Sequence, residues 1–472
     1  MNCQKDILAV LLLIITLTIV ACSSNDDNTT IPPDFHLSKE GVAVEQLTFT
    51  SNSNVEMITL QSNVEWSISS DQEWCRLSNH SGDATLTDYQ TVNLQVKVDV
   101  NTGDVVREAT ITMIAGNETK TVKVTQYSAW TPDPIGWELA VDAVKNMRVG
   151  LNIGNTLDAN GSWITGTQPS DFETAWGNPV ITHELIQTIK AGGFNAIRLP
   201  VTWYQHLDVN NRVNEAWMNR VEEVVNYILE EGMYCIVNVH HDTGASDEAW
   251  LCADLNNYDA ISTKFAVLWA QIAERFADYG DKLLFEGYNE MLDAKHSWSN
   301  TDADGYNAHN QLAQLFVNTV RATGGKNASR NLIVCTYSAD PNEPTISNFL
   351  FPDDVSLNHL IAEVHVYAPG YFTSPVEGTE PPVWTSEGEK ELDKVLKGLN
   401  NRFTSQGIPL IIGEFGAQDK ASEAEQVKYA EYFVRAATQQ NIATFWWFDL
   451  LDRTTYQWKF PAVKNTLVTA KK

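Results

Sequence analysis

The chain has 472 residues, 43% hydrophobic and 19% charged, which is enough for more than one core in a largely globular, soluble protein. A formal net charge of −28 argues against nucleic acid or an anionic membrane surface as partner. A neutral polysaccharide needs no electrostatic steering, and 15 Trp with 15 Tyr supply flat rings that can stack on sugars, although most tryptophans in any protein are core.

At the amino end, Lys5 precedes an apolar run from Ile7 to Val20. The run is short for a bilayer-spanning helix and reads as an export signal. Ile19-Val20-Ala21-Cys22 resembles the bacterial lipobox, whose cysteine is acylated and becomes the first mature residue. The Ser23-to-Asp27 cluster resembles surface-export signals of Bacteroidetes lipoproteins. The resemblance implies a signal peptide over 1–21, a lipid anchor at Cys22 to the outer membrane at the cell surface, and a polar tether over 22–35. Cys75, Cys235, Cys252 and Cys335 show no metal-ligand spacing, and for Cys235 and Cys252 both a disulfide and free thiols stay open.

Residues 36–127 read as β structure. Val92, Leu94, Val96, Val98 and Val100 alternate with polar residues, the pattern of a half-buried strand. Ala109–Ile114 and Thr121–Thr125 are further strands, and strands at this spacing predict a small immunoglobulin-like sandwich. Trp66-Ser67-Ile68-Ser69, Trp74-Cys75, Arg107-to-Ile111 and Val122-to-Gln126 resemble the BACON domain of Bacteroidetes carbohydrate enzymes. That resemblance implies glycan binding or a spacer. Trp66 and Trp74 read as core before sugar platforms. Residues 128–136, with Pro132 and Pro134, form a stiff linker.

From 137 to 472, strand-like and helix-like runs alternate. The strands are Val149–Gly154, Asn195–Pro200, Tyr234–His240, Leu283–Asn289, Leu332–Tyr337, Ile361–Tyr367, Leu410–Phe415 and Ala443–Phe448. Helical patterns include Ala216–Glu231, Thr263–Tyr279, Ala308–Thr323 and Ala424–Gln440. Eight β/α units predict an α/β fold, a (β/α)8 TIM barrel after the sandwich. An open doubly wound sheet is the alternative, but no G-x-G-x-x-G follows the first strand.

Barrel chemistry gathers at the carboxyl ends of the strands. There the sequence puts Asn155, Arg198, His240 and His241, Asn289 and Glu290, His365 and Tyr367, Glu414, and Trp447. Glu290 and Glu414 each close a short apolar run, and two acids from different strands can face each other across a glycosidic bond. As ordinary strand-end acids they would only hold ion pairs.

Several segments together resemble glycoside hydrolase family 5, subfamily 4. They are Gly150-to-Asp158, Glu173-to-Pro179, Ile197-to-Trp203, Asn238-to-Asp242, Asn289-Glu290, His365-Val366-Tyr367 and Gly413-to-Gly416. The resemblance implies a retaining endo-β-1,4-glucanase that needs no metal or cofactor, is expected to be a monomer, and acts on cellulose-type glucan, mixed-linkage glucan or xyloglucan. It further implies Glu290 as acid and then base, Glu414 as nucleophile, Arg198 and Tyr367 as stabilisers of Glu414, and Asn289 on the sugar 2-hydroxyl. Asn155, His240, His241, His365 and Trp447 would complete the substrate-binding shell. Glu286, four residues before Glu290, reads as a structural acid that could pair with Arg198. Phe448-Asp449 after Trp447 departs from the Asp-Asn of many members, in a loop that shapes a subsite. The loops Asp158–Asp171 and Ala368–Thr385 are where room for branched substrates would be set.

Three features read as decoys. Adjacent His240 and His241 on a strand would point to opposite faces and not share a metal ion. Asn300-to-Gly305 echoes a calcium loop but has Gln311 in place of the closing glutamate. The Asn79-His80-Ser81 sequon means little in a bacterial lipoprotein. Two rivals stay open: an endo-β-mannanase on the same barrel, and a non-catalytic glycan-capture lipoprotein.

Overall fold

A computed structural model describes residues 34–39, 42–49, 53–83, 89–102, 106–126 and 137–470. The export signal, Cys22 and the linker prolines lie outside the described residues. Among the described residues, no helix is long and apolar enough to cross a membrane.

The amino-terminal part is two facing five-stranded sheets. One runs β2 (Val42–Ala43), β1 (Phe35–Lys39), β4 (Asn54–Ser62), β8 (Gln90–Val98), β6 (Cys75–Leu77). The other runs β3 (Gln46–Phe49), β10 (Glu118–Gln126), β9 (Arg107–Ala115), β5 (Trp66–Ser70), β7 (Ser81–Gly82). All pairings are antiparallel except β3 with β10. Period-2 alternation drives this packing. Leu94, Val96 and Val98 from β8 meet Ile111, Met113, Val122 and Val124 in one core. Trp66 is 2% exposed in that core, and Trp74 packs against it beneath the Arg107 guanidinium. Neither presents a free face to a sugar.

The remainder is a closed parallel barrel: β11 (Val149–Asn152), β12 (Ala196–Leu199), β13 (Tyr234–Asn238), β14 (Leu283–Glu286), β15 (Leu332–Cys335), β16 (Leu360–Val366), β17 (Leu410–Phe415) and β18 (Ile442–Trp446). All eight predicted strands are present, and several stop one to three residues short of the expected end. Backbone bonds to the neighbouring strand continue past several of these ends, as from His240 to Val201 and from Asn289 to Val239. The predicted helices appear as Glu215–Glu230, Tyr258–Arg275, Ala303–Ala322 and Glu423–Thr438. Their apolar stripes bury against the outer faces of the strands, which are apolar on both sides as parallel strands must be.

The barrel interior is layered. Ala196, Ile236, Leu284, Ile333, Ile361, Ile411 and Phe445 fill its lower part, and helix Ala140–Met147 packs Ala140, Ala143, Val144 and Met147 against them. Gly150 is required there, because a Cβ would stand 2.3 Å from the Phe445 ring. Side chains two residues further along the strands are polar: Asn152, Arg198, Asn238, Glu286, Cys335 and Glu363, all buried. The apolar plug below and this polar layer above position the site.

Candidate active site

Arg198, fully buried on β12, organises the site. Its Nε and Nη2 donate to both oxygens of Glu286 at 2.6 and 2.7 Å. Its second Nη2 bond goes to Asn289 Oδ1 at 2.8 Å, and Nη1 donates to Asn152 Oδ1 at 3.0 Å and Glu414 Oε1 at 2.7 Å. Burial opposes its charge, but Glu286, Glu363 and Glu414 outweigh burial and hold the guanidinium ionised. Glu286 is therefore the structural acid expected from its strand position.

Glu414 receives a donor on each oxygen, Arg198 on Oε1 and the Tyr367 hydroxyl on Oε2 at 2.8 Å. Burial, then the charges of Glu414 and Glu290, push the Tyr367 phenol far up, so it remains a donor. Glu290 is more open, its side chain 24% exposed against 6% for Glu414, and accepts from His365 Nδ1 at 2.8 Å. One carboxylate oxygen of Glu290 and one of Glu414 lie within 4.8 Å of each other, with His365 between. Burial disfavours a charged His365, but Glu414, Glu290 and Glu363 outweigh it and raise its pKa to about 10. Because Asn289 Oδ1 is taken by Arg198, its Nδ2 group is left to donate toward the cleft.

The strand register explains this convergence. Pairing of β16 with β17 slips by one residue, so that Val364 faces Ile412 but His365 faces Glu414. Gly413 is the extra residue. Its bulge turns Glu414 beside His365 and Tyr367.

The remaining predicted residues form a second shell of the mouth. His240 is buried and stacks on Trp447 at 5.6 Å and 12°. Burial, then its neighbours His241, Arg198 and His365, push its pKa well down and keep it neutral. Gly154 lets the indole approach, since a Cβ would lie 2.7 Å from Trp447. His241 is set further out, against Trp176 at 5.4 Å and 3.6 Å from Asp158 Oδ2. Asn155 is the residue not brought to the acid pair. It adopts a left-handed φ of 58°, and its carbonyl accepts from Asn178.

The opposite-faces argument for the two histidines needs correcting. β13 ends at Asn238, so strand alternation does not reach them. Their rings are 4.5 Å apart, and each puts a nitrogen within 4.8 Å of an Asp158 oxygen and of the other. The calcium-like segment does local work instead, with Asp302 capping helix Ala303–Ala322 through the Gly305 amide. Cys75, Cys235, Cys252 and Cys335 are all free thiols. Residues not singled out from the sequence are Asn152, Asn238 and Glu363. Strand parity alone marks Glu363, which lies two positions before His365.

A closed eight-stranded barrel with two facing glutamates, an arginine and a tyrosine on one of them, and a stacked tryptophan defines a carbohydrate-hydrolase class of site. The family model "Cellulase (glycosyl hydrolase family 5)" matches residues 157–448, and the BACON model matches residues 64–127. The chain belongs to glycoside hydrolase family 5. It is 37% identical over 345 residues to Endoglucanase A of Clostridium longisporum, a match covering 70% of this chain and 65% of that relative's length. It is 31% identical over 450 residues, 87% of each chain, to the xyloglucan-specific endo-beta-1,4-glucanase BoGH5A of Bacteroides ovatus. The crystal structure of a PbGH5A variant from Prevotella bryantii B14 with a xyloglucan tetradecasaccharide matches with a TM-score of 0.67 and 43% identity, covering 71% of this chain and 99% of that one.

Proposed function

We propose that this protein is a retaining endo-β-1,4-glucanase that cuts glucan backbones internally, xyloglucan among them. The observation that carries the reading is the close approach of the Glu290 and Glu414 carboxylates, with Arg198 and Tyr367 both donating to Glu414. Carboxyl groups roughly 5–5.5 Å apart leave no room for a water between acid and sugar, so the second acid attacks directly. Inverting pairs stand about 6.5–9.5 Å apart.

Glu414, oriented by its two donors, attacks the anomeric carbon. Glu290 protonates the departing oxygen, then takes a proton from the water that releases the glycosyl-enzyme. Asn289 Nδ2 holds the 2-hydroxyl as charge develops, and Trp447 with His240 walls the subsite. His241 and Asn155 line the approach. A related endoglucanase, a related xyloglucan-specific endo-beta-1,4-glucanase and a related structure with xyloglucan bound support the substrate class.

In this reading residues 36–127 and 137–472 are separate folding units joined at 128–136. The protein is a monomer tethered to the outer membrane at the cell surface through a lipid on Cys22. The sandwich acts as a spacer, consistent with the buried Trp66 and half-buried Trp74.

Reducing-sugar release from xyloglucan, carboxymethyl cellulose, mixed-linkage glucan and galactomannan tests the function. Cleavage of one or more glucans with retained anomeric configuration is expected. Glu414→Ala should lower turnover by on the order of 10³-fold or more while substrate binding survives. Cleavage of galactomannan alone would make it a mannanase, and no release from any polymer would make it a capture protein.

A further inference from the structure

Beneath the acid pair, Glu363 is a buried carboxylate that the proposed reaction does not use. It is 0% exposed on β16, two residues before His365 and on the same side of the strand. Its Oε2 accepts from the Cys335 thiol at 3.2 Å, while its Oε1 has no hydrogen-bond partner. Arg198 Nε is 3.3 Å from that oxygen, yet Arg198 has nothing left to give. Its five N–H groups go to Glu286 twice, Asn289, Asn152 and Glu414. The remaining neighbour able to donate is His365 Nε2, 3.6 Å away. Leaving a buried carboxylate oxygen unpaired is costly, so its retention calls for a reason. The backbone also makes room for it, because a Cβ on Gly413 would stand 1.5 Å from Oε1.

His365 thus lies between Glu290 at Nδ1 and Glu363 at Nε2. The other charged or titratable groups facing it are Glu414 and Tyr367, with Arg198 and His240 across the mouth and Glu286 and Cys335 below. Carboxylates outnumber cations in this cluster. Glu363 itself is held below the ordinary carboxylate range, because Arg198 and His365 outweigh the effect of burial.

We propose that Glu363 is a positioning residue: its buried negative charge, facing His365 Nε2 across 3.6 Å, holds His365 as an imidazolium that donates to Glu290 from Nδ1. The inference rests on the assignment of Glu290 as the acid. A negative charge raises the proton affinity of the imidazole beside it, so removing that charge lets the His365 proton leave at lower pH.

The test compares Glu363→Gln with Glu363→Asp in the full chain. In histidine 15N spectra, His365 of Glu363→Gln should lose its proton roughly one pH unit below wild type, whereas Glu363→Asp keeps the charge and should keep that titration near wild type. A purely structural residue would lower activity and leave the His365 titration in place. Histidine 15N spectra of the wild type provide a readout independent of turnover and of any variant's folding. Both His365 nitrogens should carry protons at pH 8. A folded Glu363→Gln enzyme with an unmoved His365 titration, or a neutral wild-type His365 at pH 8, would overturn the inference. Failure of the wild type to cleave any glucan would instead refute the assigned reaction, and the spectra would still decide the His365 imidazolium.

Discussion

Arg198 shows how much one side chain can hold in a low-dielectric interior. A guanidinium in a rigid fork can satisfy Glu286 at both oxygens and still bond Glu414 and Asn289, which a lysine ammonium cannot. Arg198→Met should unfold more easily by about 3–5 kcal/mol, the usual cost of leaving buried charges unpartnered. The deficit should depend on pH with a definite sign. Without the cation, the folded-state pKa of Glu286, which burial already raises to about 7, rises further, and that of Glu363 rises from its lowered position. The stability lost to the substitution therefore grows as pH rises through those folded values and vanishes below about 4. Thermal midpoints of variant and wild type at pH 5 and pH 8 check this. A gap that is the same at both pH values would mean that the lost contribution is packing.

At the element scale, the site depends on where strands stop and where one of them bulges. The extra residue Gly413 lets β17 present Glu414 to β16, and Glu363 Oε1 occupies the space a side chain would need. Gly413→Ala should destabilise by roughly 1–3 kcal/mol through overpacking and should also displace Glu414, so that kcat falls along with stability. Combining it with Glu363→Ser removes the clashing carboxylate and should recover part of the stability loss, a non-additivity visible in a double-mutant cycle. The strands themselves were legible as eight apolar runs. Their ends were less so, because Asn289 and His240 continue a run in sequence beyond the last regular strand residues, Glu286 and Asn238. That is why strand alternation misjudged the His240–His241 pair.

For the whole molecule, the cores are separate. Trp66, Leu94, Val96 and Ile111 pack in the sandwich, while the barrel carries an outer cluster against its helices and an inner one closed by helix Ala140–Met147. A chain of residues 137–472 should therefore fold alone and keep its turnover on soluble glucan within about two-fold. Circular dichroism and steady-state kinetics of the truncated protein measure this. A ten-fold loss would mean that the sandwich supports the barrel, and a loss confined to insoluble glucan would assign it a binding role.

The sequence by itself marked the β-sandwich followed by a barrel and put Glu290, Glu414, Arg198, Asn289 and Tyr367 at strand ends, while the roles proposed for them came from the family resemblance. It could place them because hydrophobic periodicity is a property of short stretches of chain. Asn152, Glu363 and the bulge at Gly413 became meaningful only in the folded barrel. Each acts through atoms on other strands, hundreds of residues away in the case of Asn152 and Gly413. Which buried oxygen finds a donor, and which is left facing a cation, follows from the register of a closed sheet and from the low dielectric at its centre.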